Sequence, residues 1–228
     1  MENEINPYYV QEPFGAPGFA ENPEPRCPCL LLLDTSGSMH GSRIDELNNG
    51  LRQFKEELLS DSLSAKRVEI AIITFGPVNK VNDFTTVDHF EVPQLIASGD
   101  TPMGMAIIQG LELLETRKEV LRSNGIKLFR PWIFLITDGG PTDSWRHVPE
   151  AIRQGEANGS FSFFALGVAD ADFSTLAQFS VREPIKLKGV NFREFFVWLS
   201  ASLRNVSQSN PGDKVALPDY RPYGWADV

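Results

Sequence analysis

The chain has 228 residues, enough for one large domain or two small ones, and its hydrophobic fraction of 42% suffices for a buried core. The net charge of −9 and the pI of about 4.9 argue against nucleic acid and anionic membranes as partners, because both require a basic surface. No apolar run approaches the ~20 residues that span a bilayer, and the first ten residues lack the basic and apolar regions of a secretory signal. These features predict a cytoplasmic protein.

Residues 1–26 contain five prolines and few periodic apolar positions, which predicts an extended, proline-rich N-terminal arm. Cys27 and Cys29 follow the arm at the start of a predicted strand. Two cysteines are too few for a four-ligand metal site, and their spacing differs from that of the CxxC redox motif. We therefore interpret both as small buried hydrophobic residues.

The first strand is predicted at residues 28–34, where four leucines lead directly into Asp34. Such a run is typical of a strand buried on both faces of a parallel sheet. Asp34, Ser36 and Ser38 then lie on the loop that leaves its carboxyl end, where open α/β sheets bind ligands. One carboxylate and two hydroxyls are hard oxygen donors that suit Mg²⁺, Mn²⁺ or Ca²⁺. Taken alone, the loop is also compatible with a simple turn and a helix cap.

The next predicted element is an amphipathic helix from Ile44 to Leu58, because apolar residues recur there at steps of three and four. A buried strand over Val68–Phe75 follows, and then a less regular edge strand over residues 81–90. A second helix is predicted after Thr101. We expect Thr101 to be its N-cap, since Pro102 suits the first helical position.

The fourth strand, Trp132–Thr137, is another continuous apolar run and ends at Asp138. Beyond it the pattern predicts helices near residues 147–158, 172–179 and 191–206 and strands near residues 161–168 and 185–187. This alternation predicts one α/β domain over residues 27–206, with a doubly wound, mostly parallel six-stranded sheet flanked by helices. Residues 207–228 are predicted to form a polar C-terminal tail.

Polar loops thus follow two strands and precede one helix. Because the carboxyl ends of parallel strands share one edge of a sheet, five side chains can converge there: Asp34, Ser36, Ser38, Thr101 and Asp138. Their order and context resemble the von Willebrand factor A (vWA) domain. The metal-ion-dependent adhesion site of that family is written D-x-S-x-S, followed by a distant Thr and a distant Asp, and all five positions match.

The resemblance implies a role for each residue. Ser36 and Ser38 coordinate a metal through their hydroxyls, Thr101 and Asp138 bind it directly or through water, and Asp34 holds a coordinated water or the serines. Mg²⁺, the expected cofactor, takes six oxygen ligands, so these groups leave at least one position open. A carboxylate from an Asp or Glu of a partner protein is the expected ligand there, and Mn²⁺ or Ca²⁺ are alternatives to Mg²⁺.

Residues 22–29, 99–104 and 130–138 also resemble the small bacterial vWA proteins of the TerY/YegL type, which are associated with tellurium resistance. This resemblance implies a metal-dependent protein-interaction module. It also implies a bacterial stress-response or tellurite-resistance assembly, with kinase and phosphatase components among the partners.

Two alternatives stay open from the sequence. A Mg²⁺-dependent phosphoryl-transfer enzyme would use Asp34 as its nucleophile, but Ser36 stands where haloacid-dehalogenase-like phosphatases have a second Asp. The sequence also lacks the P-loop, dinucleotide-binding and serine-elbow motifs, so no enzyme is predicted. In the second alternative the metal only stabilises a vWA scaffold.

Overall fold

The architecture is a parallel sheet with helices on both faces, seen in a computed structural model that describes Phe19, residues 21–168, residues 171–218 and the backbone of residues 226–227. The strands are β1 (Cys27–Asp34), β2 (Val68–Phe75), β3 (Asn79–Thr86), β4 (Trp132–Thr137), β5 (Ser162–Val168), β6 (Ile185–Leu187) and β7 (Ala226–Asp227). The helices are α1 (Ser42–Leu59), α2 (Ser62–Arg67), α3 (Met103–Ser123), α4 (Val148–Ala157), α5 (Phe173–Phe179) and α6 (Phe192–Ser207), with a 3₁₀ turn at Gly37–Met39.

The strand order is β3-β2-β1-β4-β5-β6-β7, so β1 lies inside the sheet. Strands β1, β2, β4, β5 and β6 run parallel, while β3 and β7 pair antiparallel at the two edges. The predicted doubly wound, mostly parallel α/β sheet is therefore confirmed, and all six predicted strands are present. The two-residue strand β7 is an addition that the sequence pattern did not indicate.

The leucines of β1 supply the core on both faces of the sheet. Leu31 and Leu33 belong to the cluster formed with α1 and α6, whereas Leu30 and Leu32 belong to the cluster formed with α3, α4 and α5. All eight residues of β1 are buried. Side chains alternate between the faces of a strand, so a strand with helices on both sides needs apolar residues throughout.

Two further elements differ from the sequence prediction. Strand β3 ends at Thr86 rather than near Phe90, because the amides of His89 and Phe90 donate to the carbonyls of Thr86 and Val87 and turn the chain. Val87 and Phe90 are nevertheless buried, so the spacing of these apolar residues reflects burial in the core and not a strand. Helix α2 was not predicted, since six residues are too few to show helical periodicity.

The predicted arm and tail are only partly covered by the described residues. Residues 1–18 and 20 lie outside them, as do residues 219–225 and 228, so the extended arm and the tail stay predictions. Near the tail, the Trp198 indole N–H donates to the carbonyl of Pro218 (2.7 Å). Within the described part of the chain, no helix combines the length and the apolarity needed to cross a membrane.

A buried carboxylate joins three segments at the amino-terminal edge of the sheet. Glu69 in β2 accepts hydrogen bonds from Arg26 Nε (3.1 Å) and from Arg117 Nε (2.9 Å) on α3. The side chain of Glu69 is fully buried, and that of Arg26 is almost so. A buried charge is costly unless it is paired and hydrogen-bonded, so each of these groups depends on the others.

Replacing Glu69 with Gln is expected to lower the free energy of unfolding by about 3–5 kcal/mol, because two guanidinium groups lose their counter-ion. Urea unfolding at neutral pH measures the loss. The matched control is Glu150→Gln, which breaks a solvent-exposed pair with Arg153 and should change stability little. Equal effects of the two substitutions would show that the buried ion pairs do not stabilise the fold.

The interpretation of Cys27 and Cys29 as buried hydrophobic residues leads to a second prediction. Both thiols are free and buried, and burial raises the pKa of Cys27 to about 12 and that of Cys29 well above its usual value. The thiolate is the reactive form, so neither residue of the folded protein should be alkylated at about pH 8. Iodoacetamide labelling followed by mass spectrometry tests this, with full labelling in concentrated guanidinium chloride as the control. Rapid labelling of the folded chain would contradict the prediction.

Candidate functional site

The candidate site lies at the carboxyl-terminal edge of the sheet, between β1 and β4. Strand β1 is followed along the chain by β2, which lies on one side of it, whereas β4 lies on its other side and is followed by β5. The connections that leave β1 and β4 therefore run in opposite directions. Asp34 is the last residue of β1, and Asp138 directly follows Thr137, the last residue of β4. This reversal of strand order is where doubly wound sheets bind their ligands.

Asp34 connects the ends of the two strands. Its Oδ1 accepts the backbone N–H of Ser36 (2.8 Å), and its Oδ2 accepts the hydroxyl of Thr137 (2.5 Å). Burial raises the pKa of the Asp34 carboxyl, and the nearby charge of Asp138 acts in the same direction, against the effect of these hydrogen bonds. Asp34 is thus a desolvated carboxylate with both oxygens engaged.

The hydroxyls of Ser36 and Ser38 form a short chain that ends at Asp138. Their Oγ atoms lie 3.0 Å apart, and Ser38 Oγ donates to Asp138 Oδ1 (2.6 Å). The 3₁₀ turn at Gly37–Met39 follows Ser36 and contains Ser38. Ser36 and Asp138 are buried while Ser38 is exposed, so this chain of oxygens reaches the surface at Ser38.

The loop that carries Thr101 is held beside the first loop by main-chain hydrogen bonds. Gly37 N donates to the carbonyl of Gly99 (2.9 Å), and Ser98 N donates to the carbonyl of Thr35 (2.7 Å). Gly99 has a positive φ of 73°, and a Cβ atom there would lie 2.0 Å from the carbonyl oxygen of Gly76, so a glycine is required. Thr101 itself is buried.

In the structure, four of the five predicted ligands are linked to one another by hydrogen bonds. The fifth, Thr101, is connected to them through the loop that carries it. Asp34, Ser36, Ser38 and Asp138 form one hydrogen-bonded series. Thr101 contributes its backbone, donating from N to Thr142 Oγ1 (3.0 Å) and accepting at O from Thr142 N (2.9 Å).

Comparison with known proteins assigns the family. The family model of the von Willebrand factor type A domain matches residues 30–194, which include all five predicted ligands. This chain belongs to the vWA family. Such domains often serve as protein-interaction modules and are typically not enzymes. No curated protein matches the whole-chain sequence significantly.

Solved structures share the vWA fold at low sequence identity. Proximal thread matrix protein 1 from the mussel byssus is 14% identical, with a TM-score of 0.55 over 79% of this chain and 48% of that one. The pilus adhesin SpaC from Lactobacillus rhamnosus GG is 15% identical, with a TM-score of 0.59 over 81% and 30%. The ArnB paralog VWA2 from Sulfolobus acidocaldarius is 16% identical, with a TM-score of 0.50 over 78% and 45%. This vWA domain thus spans less than half the length of these three chains.

The expected N-cap role of Thr101 is wrong. Helix α3 of the vWA domain begins at Met103, and its N-cap residue is Pro102, which makes no side-chain cap. Asp143 supplies the missing acceptors instead, because its two carboxylate oxygens accept the N–H groups of Gly104 (3.0 Å) and Met105 (2.7 Å). A side chain from the loop after β4 therefore caps α3, and the hydroxyl of Thr101 is not used as a cap.

Sequence reasoning missed two residues of the vWA site. The hydroxyl of Thr137 binds Asp34, and Arg43 of α1 forms an ion pair with Asp138. A hydroxyl at the end of an otherwise apolar strand, directly before Asp138, was a signal for Thr137. Arg43 gave no signal, because one arginine on the polar side of an amphipathic helix is ordinary.

The donor set fits a hard divalent cation. Three hydroxyls and two carboxylates come from loops that are bonded to one another, and Mg²⁺, Mn²⁺ and Ca²⁺ prefer such oxygens. Among the described residues, no three His, Cys, Asp or Glu side chains cluster as candidate metal ligands. A metal here would consequently depend on the hydroxyls of Ser36, Ser38 and Thr101, and not on a cluster of acidic groups.

The raised pKa of Asp34 predicts a pH-dependent stability. Its favourable contribution is fully present below the ordinary pKa of about 3.9 and is lost as pH rises through the higher pKa of the folded state. With divalent cations chelated, the unfolding free energy of Asp34→Asn minus that of the wild type should therefore increase from about pH 4 to about pH 7.

Urea unfolding across this pH range measures the difference. The control is Asp83→Asn in β3, which removes one negative charge away from the site. Asp83 forms a solvent-exposed ion pair with Lys80. A difference that stays constant with pH, or that decreases as pH rises, would contradict the burial of a charged Asp34.

Proposed function

We propose that this vWA domain is a metal-dependent protein-interaction module. A divalent cation, preferably Mg²⁺, is held by the five ligands and binds the carboxylate of an Asp or Glu from a partner protein. The observation that carries the proposal is the contact of the Ser36 and Ser38 hydroxyls with each other and with Asp138. These oxygens come from two separate strand ends, so the fold itself assembles a set of hard donors.

The charge of the donor set favours an acidic partner. Among the five proposed ligands, Asp138 is the only charged group that is proposed to bind the cation directly or through water, since both oxygens of Asp34 accept hydrogen bonds from Ser36 and Thr137. A bound dication would therefore keep a net positive charge that attracts a further carboxylate. Six-coordinate Mg²⁺ also needs at least one ligand beyond these five groups. Ser38 is exposed, which gives an incoming side chain access to the site. Mn²⁺ and Ca²⁺ are the alternatives to Mg²⁺.

We propose further that the partners belong to a bacterial stress-response or tellurite-resistance assembly in the cytoplasm, with kinase and phosphatase components. The support is the resemblance of residues 22–29, 99–104 and 130–138 to small vWA proteins of the TerY/YegL type.

The geometry disfavours Asp34 as the nucleophile of a phosphoryl-transfer enzyme. Both oxygens of its carboxylate accept hydrogen bonds, and its side chain is fully buried. A nucleophile must reach the reacting phosphorus atom, which an exposed carboxylate could do and this one does not. The family is also typically non-enzymatic, so binding is the better supported function.

Cation binding is the first test of the proposal. Titration calorimetry with Mg²⁺ or Mn²⁺ should show one site in the wild type and at least about tenfold weaker binding in Ser36→Ala, which loses a ligand. The control is Ser60→Ala, which removes a hydroxyl just beyond the far end of α1. Equal binding by wild type and Ser36→Ala would refute the proposed ligand set.

Partner binding requires a separate test. Capture from lysate is compared in Mg²⁺ and in EDTA with the wild type and Ser36→Ala, and a captured protein is identified by mass spectrometry. The proposal expects one protein that needs both the metal and Ser36 and that is lost when one of its own Asp or Glu residues is replaced. Capture that is equal in all conditions, together with a metal-dependent rise in melting temperature, would assign the metal a structural role only.

A further inference from the structure

Arg43 reaches the carboxylate that closes the proposed metal site. Its Nη1 donates to Asp138 Oδ2 and to the backbone carbonyl of Ser38 (3.2 Å). The Ser38 hydroxyl donates to the other oxygen of Asp138, Oδ1 (2.6 Å). Both oxygens of a proposed metal ligand are therefore engaged, one of them by a positive charge.

The position of Arg43 is not explained by the stability of its own helix. It is the second residue of α1, and a positive charge in the first turn of a helix is disfavoured by the helix dipole. One partner of Arg43, Asp138, lies on the loop after β4, 95 residues away in sequence. This contact with the site offsets the unfavourable position of the charge at the helix end.

The two members of this ion pair differ in their access to solvent. The Asp138 side chain is fully buried, whereas that of Arg43 is 27% exposed. The buried carboxylate of Asp138 is stabilised by a positive partner, because an unpaired charge in the interior is unfavourable. The guanidinium of Arg43 can move into solvent, so a cation can replace it beside Asp138.

We infer that Arg43 competes with the divalent cation for Asp138 and thereby weakens the cation affinity of the site. The inference rests on the proposed function. The Arg43 guanidinium and a cation bound to Asp138 would both contact the same carboxylate. They would repel each other, since both are positive. Cation binding therefore requires the ion pair between Arg43 and Asp138 to break. The free energy lost with that ion pair weakens the observed binding of the cation.

Replacing Arg43 with Gln should tighten the binding of Mg²⁺ or Mn²⁺ by about tenfold to a hundredfold, because the competing charge is removed while a polar side chain of similar length is kept. Arg43→Lys keeps the charge and should stay near the affinity of the wild type. Titration calorimetry on the full chain with each cation alone measures these affinities.

Thermal unfolding gives an independent readout. In EDTA, Arg43→Gln should melt at a lower temperature than the wild type, because Asp138 has lost its positive partner. Added Mg²⁺ should raise the melting temperature of this variant more than that of the wild type, since the cation then takes over the pairing of Asp138.

The matched control is Arg204→Gln, which changes the net charge by the same amount. Arg204 pairs with Glu57 near the opposite end of α1, a helix of 18 residues and thus about 27 Å long. That distance exceeds the screening length of about 8–10 Å, so this variant should bind the cation like the wild type.

Three results would count against the inference. Equal affinities of wild type and Arg43→Gln would overturn it and leave the metal site intact. Weaker binding by Arg43→Gln would show that Arg43 positions Asp138 for the metal instead of competing with it. If neither protein binds any cation, the proposed metal site fails and this inference fails with it.

Discussion

The buried carboxylate of Asp34 determines the geometry of the carboxyl-terminal edge of the sheet. It accepts the Thr137 hydroxyl from the end of β4 and the Ser36 amide from the turn after β1, so it ties two separate strands together. Because a desolvated carboxylate must keep its donors, neither strand end can move away without a large free-energy cost. The two serine hydroxyls meet Asp138 as a consequence of this bond. Asp34 therefore organises the site, and Ser38 supplies an exposed hydroxyl beside it.

The third loop of the site is positioned by its main chain. Residues 87–102 contain no regular element, and the segment beside the site is fixed by the pairs Gly37–Gly99 and Ser98–Thr35. The side chains of Thr142 and Asp143 then bind the backbone of Thr101 and the first amides of α3. Because other groups hold the loop and cap the helix, the Thr101 hydroxyl is spared both tasks. This division of roles leaves the Thr101 hydroxyl available for the proposed metal.

The sequence predicted what depends on local pattern and missed what depends on distant pairing. The four leucines before Asp34 identified the central strand, because burial on both faces leaves an uninterrupted apolar run. The spacing of apolar residues located α1 and α6 for a similar reason. Strand β7 and helix α2 were missed because two and six residues carry no measurable period. The pair of Arg43 with Asp138 was missed because nothing local distinguishes an arginine that faces a site from one that faces water.

The two edges of the sheet solve the problem of buried charge in opposite ways. At the amino-terminal edge the carboxylate of Glu69 pairs with the guanidinium groups of Arg26 and Arg117, so its negative charge is more than matched. At the carboxyl-terminal edge Asp138 pairs with the partly exposed guanidinium of Arg43, and the nearby carboxylate of Asp34 accepts the Ser36 amide and the Thr137 hydroxyl. The arrangement around Glu69 does not attract a further cation, since no unmatched negative charge is present there. The arrangement around Asp34 and Asp138 keeps an excess of negative charge beside neutral hydroxyls, and a divalent cation complements that combination. The imbalance of charge, more than the presence of acidic residues, is therefore what separates the candidate site from the structural ion pairs of the same sheet.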